Sequence, residues 1–242
     1  MSSRPSFRAI MQGCALFLDI DGTLLEFSSS PSGVVIPPDL PALLEHLQHQ
    51  LDGALALISG RSLTNIETMF GKHIAIGAEH GALVRSADGV VIAQAVPDPT
   101  LARITPKLRQ IVATSAGLLL EEKHYGLTLH WRAAPALAQT MTCFVEGLVT
   151  PYKGLVLLPA HQALEIRTLG TDKATALETF MTIPPFAGRR PIFIGDDVTD
   201  EPAIARATAL HGFGLHVGRD FGNSPQEVRA WLAEGVENAS PT

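Results

Sequence analysis

Leu18-Asp19-Ile20-Asp21-Gly22-Thr23 closes an apolar run, 15–18, with two carboxylates one residue apart. Residues two apart in an extended chain share a face. Both acids therefore project from one side of a strand end, and Gly22 lets the backbone turn sharply behind them. A short apolar run ending in polar or glycine-containing sequence is the pattern of a buried parallel strand, and 54–58 is a second one. Between them, 39–51 sets Leu40, Leu43, Leu44, Leu47 and Leu51 at helical spacing, with Pro41 in a first turn that tolerates it. Strand, helix, strand predicts a parallel α/β sheet. Its carboxyl edge, where open α/β folds bind ligands, carries the acid pair.

Further along, a helix is predicted over 63–70, stopped by Gly71, then a strand near 74–76 and a hairpin around Asp88-Gly89. From 99 to 168 the texture changes to helix (101–116), two strands (118–122 and 127–131), helix (135–149) and two strands (155–158 and 163–168). These two αββ units predict a separate small domain, 99–168, inserted into a core made of 1–98 and 169–242. Pro106 is expected to kink or shorten the first of its helices. After Asp172 the βα alternation returns: helix 173–181, strand 191–194, helix 201–207, strand 214–217 and a last helix around Val228, Trp231 and Leu232.

With 242 residues, 46% apolar and 17% charged, the chain can bury a sizeable interior, which argues against disorder. No window reaches the roughly 18 uninterrupted apolar residues that a membrane span requires, so a soluble protein is expected. The stretch 10–18, after Arg4 and Arg8, resembles the core of a secretion signal. It runs straight into Asp19 and Asp21 without a small-residue cleavage site, and is read instead as a buried strand. Cys14 and Cys143 lie in apolar segments far apart and predict two reduced, buried thiols, which suits the cytoplasm. The formal charge of −6 argues against nucleic-acid binding, which needs clustered lysine and arginine. An anionic small ligand would need local positive charge or a metal.

Asp19 and Asp21 repel when both are ionised, so the pair suits a bound divalent cation or two acids with different jobs. A hard cation such as Mg²⁺ selects carboxylate oxygens and completes its shell with water and phosphate. The plainer alternative is a pair of turn residues. A second acidic cluster, Gly195-Asp196-Asp197-Val198-Thr199-Asp200-Glu201, follows the strand 191–194. Capping by Thr199 or Asp200 is the alternative there, yet convergent carboxylates at one sheet edge would destabilise the fold without a cation. Ser59-Gly60-Arg61 offers a hydroxyl, a flexible backbone and amides at a helix start, which suit a phosphate oxygen or an ordinary N-cap. Lys173 is a compact cation able to neutralise a phosphoryl group and screen Asp19, or a surface lysine.

Taken in order, Asp19-x-Asp21-Gly22-Thr23, Ser59, Lys173 and Gly195-Asp196-x-x-x-Asp200 resemble the four motifs of the haloacid dehalogenase superfamily phosphotransferases. The resemblance implies a Rossmann-like α/β core, a parallel sheet flanked by helices, with a smaller α/β (C2B-type) cap of αββ repeats between the Ser59 and Lys173 motifs. It implies Mg²⁺ as cofactor and Asp19 as nucleophile. Asp21 would be the general acid and base, lending its backbone carbonyl to the metal, and Asp196 a further metal ligand. Ser59 would bind the transferring phosphoryl group, Lys173 would stabilise its charge, and Asp197 and Asp200 would stand behind the ligands.

Gly77-Ala78-Glu79-His80-Gly81, Leu120-Glu121-Glu122-Lys123, His130-Trp131-Arg132, Leu164-Glu165-Ile166-Arg167 and the acidic cluster 195–201 are similar to trehalose-6-phosphate phosphatases, across nearly the whole chain. This implies that Glu121, Lys123 and Glu165, with Arg167 and His80, bind glucose hydroxyls, and that Gly60, Arg61 and Glu79 join the substrate-binding set. A solvated hairpin edge is the alternative for 121–123. Ala174 and Thr168-Leu169 depart from the family pattern without removing a reacting group. The implied activity is Mg²⁺-dependent hydrolysis of trehalose 6-phosphate through an aspartyl phosphate on Asp19, the last step of trehalose biosynthesis. Phosphatases of mannosyl-3-phosphoglycerate or sucrose phosphate, and a non-catalytic sugar-phosphate sensor, stay open as alternatives. The expected partner is a small sugar phosphate, with no nucleic acid and no membrane, and the chain is expected to act as a cytoplasmic monomer.

Overall fold

The structure, a computed structural model, describes residues 4–26, 34–160 and 162–236. It divides into two compact units, Met1–Gln94 with Asp172–Thr242, and Ala95–Thr171. The second unit begins before and ends beyond the expected 99–168. The Asp98 N–H donates to Thr168 Oγ1 at 3.1 Å and Thr171 Oγ1 donates to the Thr168 carbonyl at 3.1 Å, which ties both flanks into it.

The strands, in chain order, are β1 (Cys14–Leu18), β2 (Leu55–Ile58), β3 (Ala75–Ala78), β4 (Leu83–Arg85), β5 (Val91–Gln94), β6 (Leu119–Glu122), β7 (Gly126–His130), β8 (Leu155–Ala160), β9 (Ala163–Thr168), β10 (Arg190–Gly195) and β11 (Phe213–His216). The first unit holds a seven-stranded sheet in the order β11-β10-β1-β2-β3-β4-β5. From β11 to β3 the pairing is parallel, and the β4–β5 hairpin extends it antiparallel. Every residue of β1 and β2 is buried, which is why both read as continuous apolar runs rather than as alternations.

Helix Leu40–Gln50 turns Leu40, Leu44 and Leu47 inward. Helix Leu63–Phe70 starts where the Ser62 side chain accepts from the Asn65 N–H, and ends at Gly71 with φ 81°. Helix Lys173–Met181 starts where the Asp172 carboxylate accepts from the Thr175 N–H at 2.7 Å, and this cap puts Lys173 at the first helical position. Helices Glu201–Ala209 and Pro225–Ala233 follow β10 and β11.

Because β10, β1, β2 and β3 are parallel, the residues that follow them leave one edge of the sheet: Asp196, Asp19, Ser59 and Glu79. The chain proceeds from β1 to β2 on one side and returns to β10 on the other. Open α/β sheets leave a crevice at such a switch point.

The second unit is an antiparallel sheet, β6-β7-β9-β8, with helices Thr100–Thr114 and Ala138–Val149 in αββ-αββ order. Ile104, Leu108 and Val145 of the helices join Leu127, Leu129 and Ile166 of the sheet in one apolar cluster. Strand alternation then turns Thr128, Glu165 and their neighbours to the opposite face.

Helix Thr100–Thr114 continues through Pro106 and ends two residues before the expected 116. The proline removes a single N–H from the ladder, while Leu101, Ile104 and Leu108 anchor the helix in the cluster on both sides of it. The stretch 10–18 is not one strand: Phe7–Ile10 is a helical turn, and Gly13, at φ 68°, turns the chain ahead of β1. Cys14 is buried but Cys143 is exposed. Met141, Val145 and Val149 form the inward face of their helix, and Cys143 sits roughly 200° around the axis from Met141. Among the described residues, no helix is long and apolar enough to cross a membrane.

Candidate active site

Asp19 emerges from β1 with its N–H held by the Ile194 carbonyl at 3.0 Å and its side chain nearly sealed from solvent, the residue being 4% exposed. The Lys173 ammonium donates to Asp19 Oδ1 at 2.7 Å and to Asp200 Oδ1 at 2.6 Å. Asp200 is fully buried, and its second oxygen accepts the N–H groups of Asp196 (3.2 Å) and Asp197 (3.1 Å). One carboxylate thus orients Lys173 and also shapes the loop that presents Asp196. Glycine is needed at 195, where a Cβ would lie 2.2 Å from Asp200 Cγ. Thr23 Oγ1 lies 3.3 Å from Asp19 Oδ2 and 3.2 Å from Asp196 Oδ1, linking the loops after β1 and β10.

Three carboxylates here share one ammonium. Burial pushes Asp19 well above the usual carboxylate range; Asp200 and Asp196 add to the shift and Lys173 opposes it. Burial, followed by the charge of Asp200, pushes Asp196 up to about 6. Burial alone would depress Lys173, but Asp19 and Asp200 outweigh it and hold the ammonium above its ordinary value. Oxygens of Asp19, Asp196 and Asp200 lie within 4.8 Å of one another. An all-oxygen donor set short of positive charge fits a hard divalent cation such as Mg²⁺.

The Asp21 carboxyl stands apart from this triad. Arg61 grips it in a two-point fork, Nε to Oδ2 and Nη2 to Oδ1, each 2.6 Å. Ser59 is buried at the end of β2, with the Arg61 N–H 3.3 Å from its Oγ. The loop after β3 locks onto this turn: the Glu79 N–H donates to the Arg61 carbonyl and the His80 N–H to the Ser59 carbonyl, each at 2.9 Å. Glu79 and His80 are both buried in the left-handed region, at φ 47° and 57°, a conformation uncommon for residues other than glycine. A Cβ at Gly60 would come within 2.5 Å of His80 Nε2. Asp197 is exposed and caps its own turn, accepting from the Val198 N–H at 2.7 Å.

In the second unit, Glu121, Lys123, Glu165 and Arg167 share the sheet face opposite the apolar cluster. Lys123 Nζ lies 3.0 Å from Glu165 Oε1, and His130 Nε2 lies 3.0 Å from Glu121 Oε2. The His130 hydrogen bond holds the Glu121 carboxyl below its ordinary value.

The sequence reading places Asp200 behind the metal ligands; its two oxygens are taken by the Lys173 ammonium and by the N–H groups of Asp196 and Asp197, while it lies within 4.8 Å of the oxygens of Asp19 and Asp196. Thr23, Thr128 and His130 carry no role in that reading. The spacing of Thr128 and His130, two apart like Glu121 and Lys123 or Glu165 and Arg167, is the signal that sets them on the same face.

Acids after β1 and β10, a serine after β2 and a buried lysine gather at the switch point of a parallel sheet, on a fold of the haloacid dehalogenase-like class. The fold matches a haloacid dehalogenase-like hydrolase from Bacteroides thetaiotaomicron with a TM-score of 0.61 and 17% identity, over 89% of this chain and 91% of that one. It matches the C-terminal domain of a Candida albicans trehalose-6-phosphate phosphatase with a TM-score of 0.78 and 18% identity, over 97% of each chain. At these identities the likeness concerns the fold alone. The trehalose-phosphatase family model matches residues 17–228. A Sinorhizobium fredii protein named "probable trehalose-phosphate phosphatase" is 38% identical over 206 residues, 84% of this chain and 77% of that protein. The chain belongs to the trehalose-phosphatase family, whose members are phosphoric monoester hydrolases.

Proposed function

We propose that the chain hydrolyses trehalose 6-phosphate to trehalose and phosphate, with Asp19 as covalent nucleophile and Mg²⁺ as cofactor. The observation that carries this is the single ammonium of Lys173 bonded to both Asp19 and Asp200 at the crevice edge, in a chain of the trehalose-phosphatase family.

In the first half-reaction an Asp19 oxygen bonds to phosphorus as the bond from phosphorus to the sugar oxygen breaks. Asp21 gives that oxygen its proton, leaving trehalose and an aspartyl phosphate. In the second, Asp21 takes a proton from water, the water oxygen bonds to phosphorus, and the bond to Asp19 breaks. Phosphate leaves, and both aspartates return to their starting states. Lys173 fixes the attacking carboxylate and offsets phosphoryl charge, and Ser59 binds the phosphoryl oxygens with the amides after it. Asp19, Asp196 and the Asp21 backbone carbonyl would hold Mg²⁺, with Asp200 adjoining. The bound ion would neutralise charge that one lysine cannot. Arg61 is committed to Asp21 and acts through it, while Gly60, Glu79 and His80 shape the floor beside Ser59.

The second unit serves as the cap. Glu121, Lys123, Glu165 and Arg167 supply charge-assisted hydrogen bonds to the sugar hydroxyls. Phosphate release from about a dozen sugar phosphates, ranked by kcat/KM with and without Mg²⁺, tests the proposal. Trehalose 6-phosphate should lead, and EDTA should abolish turnover. A preference for sucrose phosphate or mannosyl-3-phosphoglycerate would overturn the substrate, and turnover untouched by EDTA would overturn the cofactor.

A further inference from the structure

We infer that Thr128 is a specificity-determining residue whose hydroxyl bonds a hydroxyl group of the substrate's sugar; this rests on the sugar-phosphatase function proposed above. Thr128 lies in β7, paired across to Glu121 in β6 and to Glu165 in β9, so the three side chains form one row on a single face of the sheet. The residue is 4% exposed, and its Oγ1 finds no hydrogen-bond partner among the described residues. Neither flanking carboxylate bonds it: Glu121 is engaged by His130 and Glu165 by Lys123, each at 3.0 Å.

A buried hydroxyl without a partner is a net loss of stability. Valine has the same shape, fits a strand at least as well and would remove that loss. Packing of the sheet therefore gives no reason for threonine at this position. A ligand does. An ionised carboxylate only accepts hydrogen bonds, whereas a hydroxyl both donates and accepts. The row thus presents acceptor, donor-acceptor and acceptor, which complements adjacent hydroxyls of a neutral polyol. The sugar end of the substrate, with its adjacent hydroxyls, matches this chemistry.

Thr128→Val tests the inference, with Thr128→Ser as the variant that keeps the hydroxyl. The readout is the ratio of kcat/KM for trehalose 6-phosphate to kcat/KM for a small, sugar-free aryl phosphate, together with the melting temperature. Thr128→Val should lower the ratio about tenfold, the worth of one hydrogen bond, with a melting temperature equal to or above that of wild type, and Thr128→Ser should restore most of it. A ratio unchanged in Thr128→Val, or a melting temperature that falls while both substrates suffer equally, would overturn the inference in favour of a packing role. Should wild type prefer a different sugar phosphate, only the substrate proposed above fails, and the same comparison on that sugar phosphate decides the role of Thr128. No turnover of any sugar phosphate by wild type would overturn both.

Discussion

The ammonium of Lys173 stands 2.7 Å from the carboxylate of Asp19, a residue 154 positions away, and both side chains are buried. Lys173 occupies the first position of its helix, the end where the helix dipole disfavours a cation. Asp19 and Asp200 compensate it there. Replacing the lysine with methionine keeps the stem and strands two carboxylates without a counter-charge. Lys173→Met should destabilise the protein by about 3–5 kcal/mol, the usual cost of breaking a buried pair from one side. Adding Asp200→Asn should recover part of the loss. Urea unfolding measures both, and a Lys173→Met protein as stable as wild type would contradict the buried pairing.

Asp19→Asn acts on the same cluster from the other side. With Asp19 as the proposed nucleophile, catalysis should fall by about 10³-fold or more, since an amide cannot form the acyl phosphate. Stability without metal should hold or rise, because one of three crowded carboxylates loses its charge. The thermal shift produced by Mg²⁺ should shrink for the same reason. Phosphate release assays and melting curves with and without Mg²⁺ check all three, and undiminished turnover would end the nucleophile assignment.

Asp196 gives the metal-free protein a pH signature. Its folded value of about 6 lies above the unfolded value of about 4, so between the two the folded state holds a proton that the unfolded state lacks. The stability from this group is present in full below the unfolded value and is lost as pH rises through the folded one. In EDTA, wild type should lose stability relative to Asp196→Asn as pH rises from about 4 to about 7. With Asp196 as the proposed metal ligand, saturating Mg²⁺ should reverse that trend, since the cation would bind the carboxylate the proton has left. A difference between the two proteins that stays flat across the window would show that Asp196 is not the titrating group.

The core was legible where burial on both faces left continuous apolar runs, as in β1 and β2, and where such runs end in acids. Asp19, Asp196 and Ser59 follow from that pattern. What sequence could not show depends on partners far along the chain. Nothing around Lys173 marks it as buried, since Asp200 is 27 positions away and Asp19 farther still. The fork between Arg61 and Asp21 spans 40 positions. In the second unit the alternation that puts Thr128 between two glutamates is written in the strands, but its missing partner is a property of the assembled sheet. Cys143 is exposed where its sequence predicts burial, because the helix Ala138–Val149 carries small and apolar residues around most of its circumference, which leaves its inward face ambiguous in sequence.

Arg61 and Asp21 offer the sharpest separation of roles. The guanidinium meets both carboxylate oxygens at 2.6 Å, a geometry a lysine cannot reproduce, because one ammonium cannot lay two parallel bonds on a carboxylate. If Arg61 orients the general acid and base, Arg61→Lys should lower kcat about tenfold and leave KM close to wild type, because ground-state binding does not pass through this pair. If Arg61 instead binds substrate directly, KM should rise with kcat little changed, and the positioning role falls. The decrease should also be larger for trehalose 6-phosphate than for an aryl phosphate whose leaving oxygen departs without protonation, since only the poor leaving group depends on a well-placed acid at Asp21.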